Sequence, residues 1–276
     1  MDVARDRAER FDALHRTGEL LILANAWDQG SARLFESIGF QALATTSSGS
    51  AATLGRLDAT MTRDETIAHT GAIVAATHLP VSADLEDGFA EDPDGVAQTV
   101  RLAVSVGVAG CSIEDITRHP DAPIHEVGVA RDRVAAAVES AHGGPVPILL
   151  TARAENHVRG RHDLADTIAR LQAFQEVGAD VLYAPGLVEL DQIRRVVQSV
   201  DRPVNVLVRP NGPSLAELAS VGVRRISVGG ALAYAALGAA TEAARDPLDT
   251  GTCTFWPQAG VGLAAARAAF ADTADP

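Results

Sequence analysis

The chain has 276 residues, a formal net charge of −13 and 23 basic side chains, every one of which is arginine. Because lysine is absent, the sequence excludes Schiff-base aldolases, pyridoxal-phosphate enzymes, biotin carriers and Walker-type phosphate loops, which all need a lysine amine. The acidic balance and the scattered arginines argue against a nucleic-acid partner. Charged residues interrupt every apolar stretch well short of the roughly 18 residues of a membrane span, so we expect no membrane partner.

Two further features bear on location and domain number. The two cysteines, Cys111 and Cys253, are too few and too far apart for a disulfide framework or a CxxC metal site. The charged N-terminal stretch is not typical of a secretory signal. We therefore predict a cytoplasmic location, and the length fits a single domain over 1–276.

In chain order, the predicted elements alternate between short apolar strands and segments with helical periodicity. After a helix over 3–16 come eight strand–loop–helix units, with strands predicted at 20–24, 42–45, 81–84, 110–114, 148–152, 181–184, 204–208 and 225–228. Capping boxes at Thr62 and Ser214 mark helix starts, and Gly107, Gly178 and Gly222 mark helix ends. Eight such units predict an α/β fold, a (β/α)₈ TIM-type barrel. The alternative is a doubly wound open sheet, which usually has a GxGxxG loop after its first strand; residues 25–30 lack that loop.

A last helix, predicted at about 260–271, is not needed to complete the barrel. It lies in a C-terminal extension, 246–276, that we expect at an oligomer interface. A helix of this kind either docks on a neighbouring subunit or packs on its own barrel, and the sequence leaves both open. We expect a homo-oligomer.

Acidic residues occur at the ends of several predicted strands. Asp84 ends the third strand and Glu86 follows it, Glu114 ends the fourth, and Asp58 lies in the long loop after the second. The carboxyl ends of barrel strands meet at one mouth, so these carboxylates should converge there. Clustered carboxylates repel each other and need a cation, and an oxygen-rich set favours Mg²⁺ or Mn²⁺ over Zn²⁺. A reasonable shell has Asp84 bound directly and Glu86 and Glu114 bound through water.

Three other acids in these loops have a simpler explanation. Asp87, Glu91 and Asp115 lie near the start of the helices that follow, where the helix dipole favours acidic side chains. Helix capping and a role at the mouth are both open for these three residues.

Arg153 follows the apolar fifth strand, so its guanidinium should reach the same mouth. Its planar set of donors suits a carboxylate or a phosphonate in bidentate geometry. The alternative is a structural ion pair with Glu155 or Glu114. The small polar segment 45–50 follows the second strand, and its backbone N–H groups are suited to hold a carboxylate or an enolate oxygen.

Five segments together resemble one known family. TTSSGSAATLGRLD, PVSADLEDGF, GCSIED, LLTARAEN and PVNVLVRP…ELASVGVRRISVG are similar to the isocitrate lyase / phosphoenolpyruvate mutase superfamily, over about residues 15–245. The most specific part is the order of D-x-E-D-G, I-E-D and A-R after three successive strands. The resemblance implies a Mg²⁺-dependent (β/α)₈ barrel that makes or breaks C–C or C–P bonds beside a 2-oxo or 2-hydroxy acid, through an enolate. It also implies a tetramer whose last helix is swapped between subunits.

The resemblance further implies roles for individual residues, position by position. The expected catalytic residues are Arg153, Asp58, Glu114 and Ser47; the expected substrate-binding residues are Trp27, Thr46, Ser47, Ser48, Arg153 and Asn205; and the expected metal ligands are Asp84, Glu86 and Glu114. Within this set, Arg153 is the expected anchor of the substrate carboxylate, and Thr46, Ser47 and Ser48 form the expected oxyanion-binding turn.

The loop after the fourth strand departs from the best-known members of the superfamily. The lyases have K-[KR]-C-G-H there and the phosphonate enzymes have a Lys/Asn gating loop, whereas residues 116–121 read ITRHPD. The loop cysteine that acts as general acid is therefore absent, and Cys111 lies inside a strand, where we expect a core position. Arg118, His119 or His125 is a candidate to supply a proton or an anchor, and a solvated loop residue is the alternative.

We therefore predict a Mg²⁺-dependent lyase that cleaves a C–C bond, including by decarboxylation, in a small 2-oxo or 2-hydroxy dicarboxylic acid. The first alternative is C–P bond chemistry, as in a phosphonopyruvate hydrolase or a phosphoenolpyruvate mutase. The second is a non-catalytic barrel that binds a metabolite. The missing loop residues favour this last reading, and the intact acid cluster argues against it, because unpaired acids at a mouth lower stability without purpose.

Overall fold

The computed structural model describes residues 3–271, in which nine short strands form one parallel sheet. The strands are β1 (Leu21–Ile22), β2 (Ala24–Asn25), β3 (Leu43–Ala44), β4 (Val81–Asp84), β5 (Gly110–Glu114), β6 (Leu149–Arg153), β7 (Val181–Tyr183), β8 (Val204–Leu207) and β9 (Arg225–Ser227). Their spatial order is β1-β9-β8-β7-β6-β5-β4-β3-β2. Since β1 and β2 are separated only by Leu23, the two ends of this order meet and the sheet closes. The predicted (β/α)₈ barrel is confirmed.

The first predicted strand, 20–24, is divided into two. Leu21 pairs with Arg225 of β9, whereas Ala24 pairs with Leu43 of β3. The chain changes neighbours at Leu23, and this change closes the barrel. The other seven strands lie within one residue of their predicted bounds.

Helices surround the sheet and follow the predicted alternation. They are α1 (Val3–Arg16), α2 (Gln29–Ile38), α3 (Ser47–Thr53), α4 (Arg63–Ala76), α5 (Pro93–Ser105), α6 (Val127–His142), α7 (Leu164–Glu176), α8 (Leu190–Gln198), α9 (Leu215–Ser220), α10 (Ala231–Thr250) and α11 (Trp256–Phe270). The predicted capping boxes of Thr62 and Ser214 are both formed. Gly107, Gly178 and Gly222 follow helices with positive φ angles, the conformation that ends a helix at glycine.

Helix α1 closes the N-terminal end of the barrel. Phe11 is fully buried in a small apolar cluster with Leu21, Leu23, Ala42 and Ala109. A Cβ at Gly110 would lie only 2.8 Å from Phe11 Cε1, so this strand start must be glycine for the helix to pack closely. With this end closed, the C-terminal end of the strands is the accessible one.

The strands present apolar side chains to the helices and polar side chains to the barrel interior. The outward positions belong to the main core and include Val81, Ala83, Cys111, Ile113, Leu150, Ala152, Val204, Val206 and Ile226. The inward positions include Asn25, Ser82, Ser112, Asn205, Arg225 and Ser227, which all line a cavity. Barrel interiors are usually filled by bulky branched residues. Here small polar residues leave space below the mouth.

The C-terminal extension forms α10 and α11. Helix α11 begins a few residues earlier than predicted, because Pro257 fits the first turn of a helix. It packs against α2 of the same chain, yet Trp256, Val261 and Leu263 are exposed. The last residues of the predicted extension, 272–276, lie outside the described part of the chain. Among the helices within residues 3–271, none is both long and apolar enough to cross a membrane.

Candidate active site

A cavity of about 710 Å³ opens at the carboxyl ends of the strands. Its polar lining comes from many strand ends and includes Thr46, Ser47, Ser48, Asp58, Asp84, Glu114, Arg153, Glu155, Tyr183, Asn205 and Arg225. The cavity lies where active sites of (β/α)₈ barrels are found. Most of the site residues predicted from the sequence therefore meet in one place.

Arg153, at the end of β6, is the centre of this group. Its Nη1 lies 2.9 Å from Glu114 and 3.3 Å from Asp84, and its Nε lies 2.7 Å from Glu155. The structural ion pairs of Arg153 with Glu155 and Glu114 are thus formed. In the part of the chain that the structure describes, Nη2 has no protein acceptor, so both of its hydrogens are available to a ligand. Structural pairing and ligand binding are therefore compatible for this arginine.

Of the three predicted metal ligands, Asp84 and Glu114 line the cavity, whereas Glu86 is buried and is not part of the lining. Burial raises the pKa of Glu86 to about 8, and the charges of Asp84 and Asp58 act in the same direction. Burial also holds the pKa of Glu114 well above its ordinary value, although Arg153 opposes the shift. Such raised values mean that this site would gain free energy from an added positive charge.

The loop after β4, which includes Glu86, has an unusual backbone. Glu86 and Phe89 have φ angles of 48° and 56°, in the left-handed region that residues other than glycine rarely adopt. The Glu86 carbonyl accepts a 2.8 Å hydrogen bond from the backbone N–H of Glu114. Arg133 of α6, which is buried, donates to the backbone carbonyls of residues 87, 90 and 91. These bonds hold the strained loop against the barrel.

Loop 116–125 contacts the loop after β4 through ion pairs that lie outside the cavity. Arg118 makes a bidentate ion pair with Asp87, at 2.7 and 2.8 Å, and the exposed His119 lies 3.3 Å from Glu91. Neither Arg118 nor His119 lines the cavity. Helix α5 is capped instead by Asp92, so Asp87 and Glu91 are not its capping residues. The capping alternative is wrong for these two acids.

Asp115 is a support for Arg153 rather than a helix cap. It is buried, and its Oδ1 accepts a 2.8 Å hydrogen bond from the backbone N–H of Glu155. Its Oδ2 lies 3.0 Å from Nη1 of Arg170, which also donates to the carbonyl of His125. This network fixes Glu155, which in turn orients the guanidinium of Arg153. The His125 side chain does not line the cavity.

The polar turn after β3 lines the cavity beside Asp84. The backbone N–H of Ser47 donates to Asp84 Oδ2 at 3.1 Å, so it serves this carboxylate and is not left for a ligand. Thr46 caps α3, and its hydroxyl lies 3.2 Å from that of Ser48. A Cβ at Gly230 would lie 2.3 Å from Ser48 Oγ, so glycine is required for the start of α10 to approach this turn.

Other predicted residues take different places. Trp27 is not brought to the cavity: its ring packs edge-on against Phe35, and its carbonyl hydrogen-bonds His69. Asp58 lines the cavity from its exposed rim. Cys111 is a core residue as expected, and burial raises the pKa of its thiol to about 12.

Sequence reasoning missed two residues that line the cavity. Tyr183, in β7, lies with its ring centroid 4.9 Å from Cζ of Arg153. Arg225, in β9, is 4% exposed and reaches across the interior to Asn205 and Thr151. A signal for Arg225 was present, since an arginine that opens an apolar strand needs a polar surrounding. No comparable signal marks Tyr183, because an aromatic residue in a buried strand is ordinary.

Comparison with known proteins agrees with this geometry. A family model described as phosphoenolpyruvate phosphomutase matches residues 11–248. This chain belongs to the phosphoenolpyruvate mutase family. The resemblance seen in the strand-end motifs is therefore confirmed, and relatives in the family are named lyases and mutases.

Three members illustrate the range of the family. A solved structure from Burkholderia cenocepacia J2315, provisionally named a lyase/mutase, superposes with a TM-score of 0.90 at 50% identity and covers 92% of both chains. An uncharacterised Mycobacterium tuberculosis protein is 32% identical over 237 residues, which is 85% of this chain and 87% of that protein. An oxaloacetate decarboxylase from Chromohalobacter salexigens is 28% identical over 256 residues, which is 88% of this chain and 86% of that enzyme.

Proposed function

We propose that this protein is a Mg²⁺-dependent lyase that cleaves a C–C bond, including by decarboxylation, in a small 2-oxo or 2-hydroxy dicarboxylic acid. The observation that carries the proposal is Arg153, which has one nitrogen available to a ligand and lies among three carboxylates in the mouth of the barrel. An anchor for an anion beside a surplus of carboxylates suits a substrate that binds together with a cation. The oxaloacetate decarboxylase relative supports this class of substrate.

The donor set fits a hard divalent cation. Asp84 would bind Mg²⁺ directly, and Glu86 and Glu114 would bind it through water; Mn²⁺ suits the same oxygens. Within residues 3–271, no three acidic, histidine or cysteine side chains are close enough to hold one ion directly. Mg²⁺ commonly keeps several waters and takes only one or two carboxylates, so this arrangement is compatible with it. When bound, the ion would supply positive charge to the oxygens of a 2-oxo acid and of the derived enolate.

The chain's own residues would then bind and orient the substrate. Nη2 of Arg153 would hold a substrate carboxylate while Glu155 and Asp115 keep the guanidinium in place. The hydroxyls of Ser47 and Ser48 line the cavity next to Asp84 and would donate to the oxygen that becomes negatively charged. Positioning of this kind lowers the barrier because the donors are already arranged before bond cleavage.

The test is turnover of a panel of 2-oxo and 2-hydroxy di- and tricarboxylates with Mg²⁺, including oxaloacetate, 2-methylisocitrate and 2,3-dimethylmalate. We expect a 2-oxo acid or a cleaved carboxylate as product. Asp84→Asn should lower turnover at least about 100-fold and weaken Mg²⁺ binding in calorimetry. Asp94→Asn, at an exposed position of α5, is the matched control. Unchanged turnover and unchanged Mg²⁺ binding in the Asp84 variant would sink the proposal.

A second candidate, C–P bond chemistry, is supported by the description of the matching family model. Phosphonopyruvate belongs in the same assay, because release of inorganic phosphate or formation of phosphoenolpyruvate identifies this chemistry by its product. Binding of oxalate without turnover of any substrate would favour the non-catalytic barrel.

We also propose that the protein is a homo-oligomer assembled through its C-terminal extension, 246–276. Trp256, Val261 and Leu263 of α11 are 67%, 71% and 53% exposed, and Leu248 of α10 is 85% exposed. Exposed apolar side chains on two successive helices suit a surface that another chain covers. A cytoplasmic location stays a prediction, supported by the two unpaired cysteines.

A further inference from the structure

A buried arginine without an acidic partner lies in the wall of the cavity. Arg225 donates from Nε to Asn205 Oδ1 at 2.9 Å and from Nη2 to Thr151 Oγ1 at 2.9 Å. Its Nη1 lies 3.3 Å from Nε2 of His15, whose other ring nitrogen is bonded to the carbonyl of Phe11. In the described residues Arg225 forms no ion pair with a carboxylate. A buried cation without a counter-charge is costly, so it calls for a functional reason.

The hydrogen bonds that start at Arg225 have a fixed direction as far as Ser227. A guanidinium can only donate, so the oxygen of the Asn205 amide must face Arg225. The amide nitrogen then faces Ser227 and donates to its Oγ at 3.1 Å. Ser227 Oγ accepts this bond and keeps its own proton, and the hydroxyl of Tyr183 is near enough for Ser227 to influence its pKa. When Ser227 donates to the phenol, the phenolic proton of Tyr183 is left for a group in the cavity.

The position of Tyr183 suits it to meet a substrate held by Arg153. The two residues are register partners on neighbouring strands, and the tyrosine ring lies beside the guanidinium. Ser227 is on β9, across the barrel from Glu114 on β5, so the phenol reaches the wall opposite the acids. Burial raises the pKa of Tyr183 to about 12, so the hydroxyl carries its proton at neutral pH. The charged groups that act on it are Arg153, Glu155, Asp84 and Arg225.

The proton donors considered in the loop after β5, and Cys111, are placed elsewhere. Cys111 is in the core, and the side chains of His119 and His125 do not line the cavity. Arg118 is held in its bidentate pair with Asp87. The loop on which related lyases have their acid therefore offers none of these groups to the cavity here. Tyr183 instead offers a neutral hydroxyl group on a ring that lies beside Arg153.

We propose that Tyr183 is the general acid that protonates the enolate carbon, with Ser227, Asn205 and Arg225 as positioning residues. This inference rests on the proposed function. Cleavage of the C–C bond leaves its electron pair in the enolate. The O–H bond of Tyr183 breaks, a C–H bond forms at the former point of cleavage, and the phenolate oxygen accepts a hydrogen bond from Ser227. A water molecule then returns the proton to Tyr183 and leaves hydroxide. For a decarboxylation the hydroxide and CO₂ combine as bicarbonate; for cleavage of a 2-hydroxy acid the hydroxide takes up the proton that the hydroxyl group loses as it becomes a carbonyl.

The test measures proton transfer separately from bond cleavage. Pyruvate, the simplest 2-oxo acid with an enolisable methyl group, is incubated in D₂O with Mg²⁺ and enzyme, and loss of the methyl proton signal is followed by NMR. Tyr183→Phe should lower the exchange rate at least about 100-fold, the usual range for loss of a general acid or base. Ser227→Ala should lower it about 10-fold. Ser220→Ala, at an exposed position of α9 outside the cavity lining, is the matched control for Ser227→Ala and should stay within about twofold of wild type.

Binding of oxalate, an enolate mimic, separates a chemical role from a structural one. We expect Tyr183→Phe to bind oxalate as wild type does, with an unchanged melting temperature, and yet to lose exchange. Exchange at the wild-type rate in this variant, or no exchange in the wild type, overturns the inference. One mixed outcome is that the wild type exchanges the methyl protons of pyruvate, Tyr183→Phe does not, and no substrate of the panel is cleaved. In that case the inference about Tyr183 stands and the lyase assignment fails. If panel substrates are cleaved and the variant still exchanges normally, the lyase assignment stands alone.

Discussion

Replacing Glu86 by glutamine removes the carboxyl group whose ionisation is most clearly opposed by its surroundings. Glu86 is 6% exposed, and its pKa is raised from 4.5 to about 8 by burial and by neighbouring acids. Its folded pKa lies above its unfolded pKa, so folding favours the protonated form. The resulting stability is fully present below about pH 4.5 and is lost as the pH rises through about 8.

The magnitude follows from the two pKa values. A rise from 4.5 to about 8 corresponds to about 5 kcal/mol once the carboxyl is fully ionised. About 2.5 kcal/mol of this stability should be lost between pH 5 and pH 7, and most of the rest by pH 9. Since a glutamine side chain cannot ionise, Glu86→Gln should be more stable than the wild type at pH 8 and similar to it at pH 5.

The assay is urea unfolding of metal-free protein at several pH values between 5 and 9, for the wild type, Glu86→Gln and the exposed control Glu91→Gln. Added Mg²⁺ should stabilise the wild type increasingly as the pH rises, because cation binding requires the ionised carboxylate. The same increase should be smaller in Glu86→Gln. Parallel pH dependence of unfolding in the wild type and Glu86→Gln would contradict this prediction, since it would mean that Glu86 ionises without cost.

Three further predictions concern other parts of the molecule. Arg133→Met leaves three carbonyls of the loop after β4 without their donor, so it should lower the free energy of unfolding by about 3 kcal/mol in urea titrations. In native protein a thiol reagent should spare Cys111, which is buried, and modify it only after unfolding; modification of Cys111 in the native state would contradict the core position. Val261→Asp with Leu263→Asp should dissociate the oligomer in light scattering, and an unchanged mass would exclude α11 from the interface.

The cavity has two chemically different walls, and this division accounts for the proposed chemistry. Asp84, Glu114 and Glu155 surround Arg153 on one side, where a cation and a substrate carboxylate would bind. Tyr183 and Arg225 belong to the other wall, which has hydroxyl and amide groups and no acid among the partners of Arg225. Negative charge that forms between the walls would be stabilised from both sides.

Part of the candidate site was predictable because barrel topology brings strand ends together. Once the eight units were recognised, Asp84, Glu114 and Arg153 had to face one mouth, and the structure brings them within ion-pair distance. Trp27 could not be placed in this way, because it follows β2 at a position where the chain turns to α2 and where Phe35 offers an apolar surface. Asp115 was ambiguous, since its partner Arg170 lies 55 residues further along the chain.

Local sequence was sufficient for the repeating strand and helix pattern, the helix caps and the strand-end acids, because each of these depends on residues close together in the chain. Which strand positions face inward across the barrel depends instead on tertiary packing. That packing brings Arg225 to Asn205, Asn205 to Ser227 and Ser227 to Tyr183, although these residues come from three different strands. The absence of lysine removed whole classes of chemistry at the outset. The packing of the barrel interior then supplied a polar wall that local periodicity does not describe.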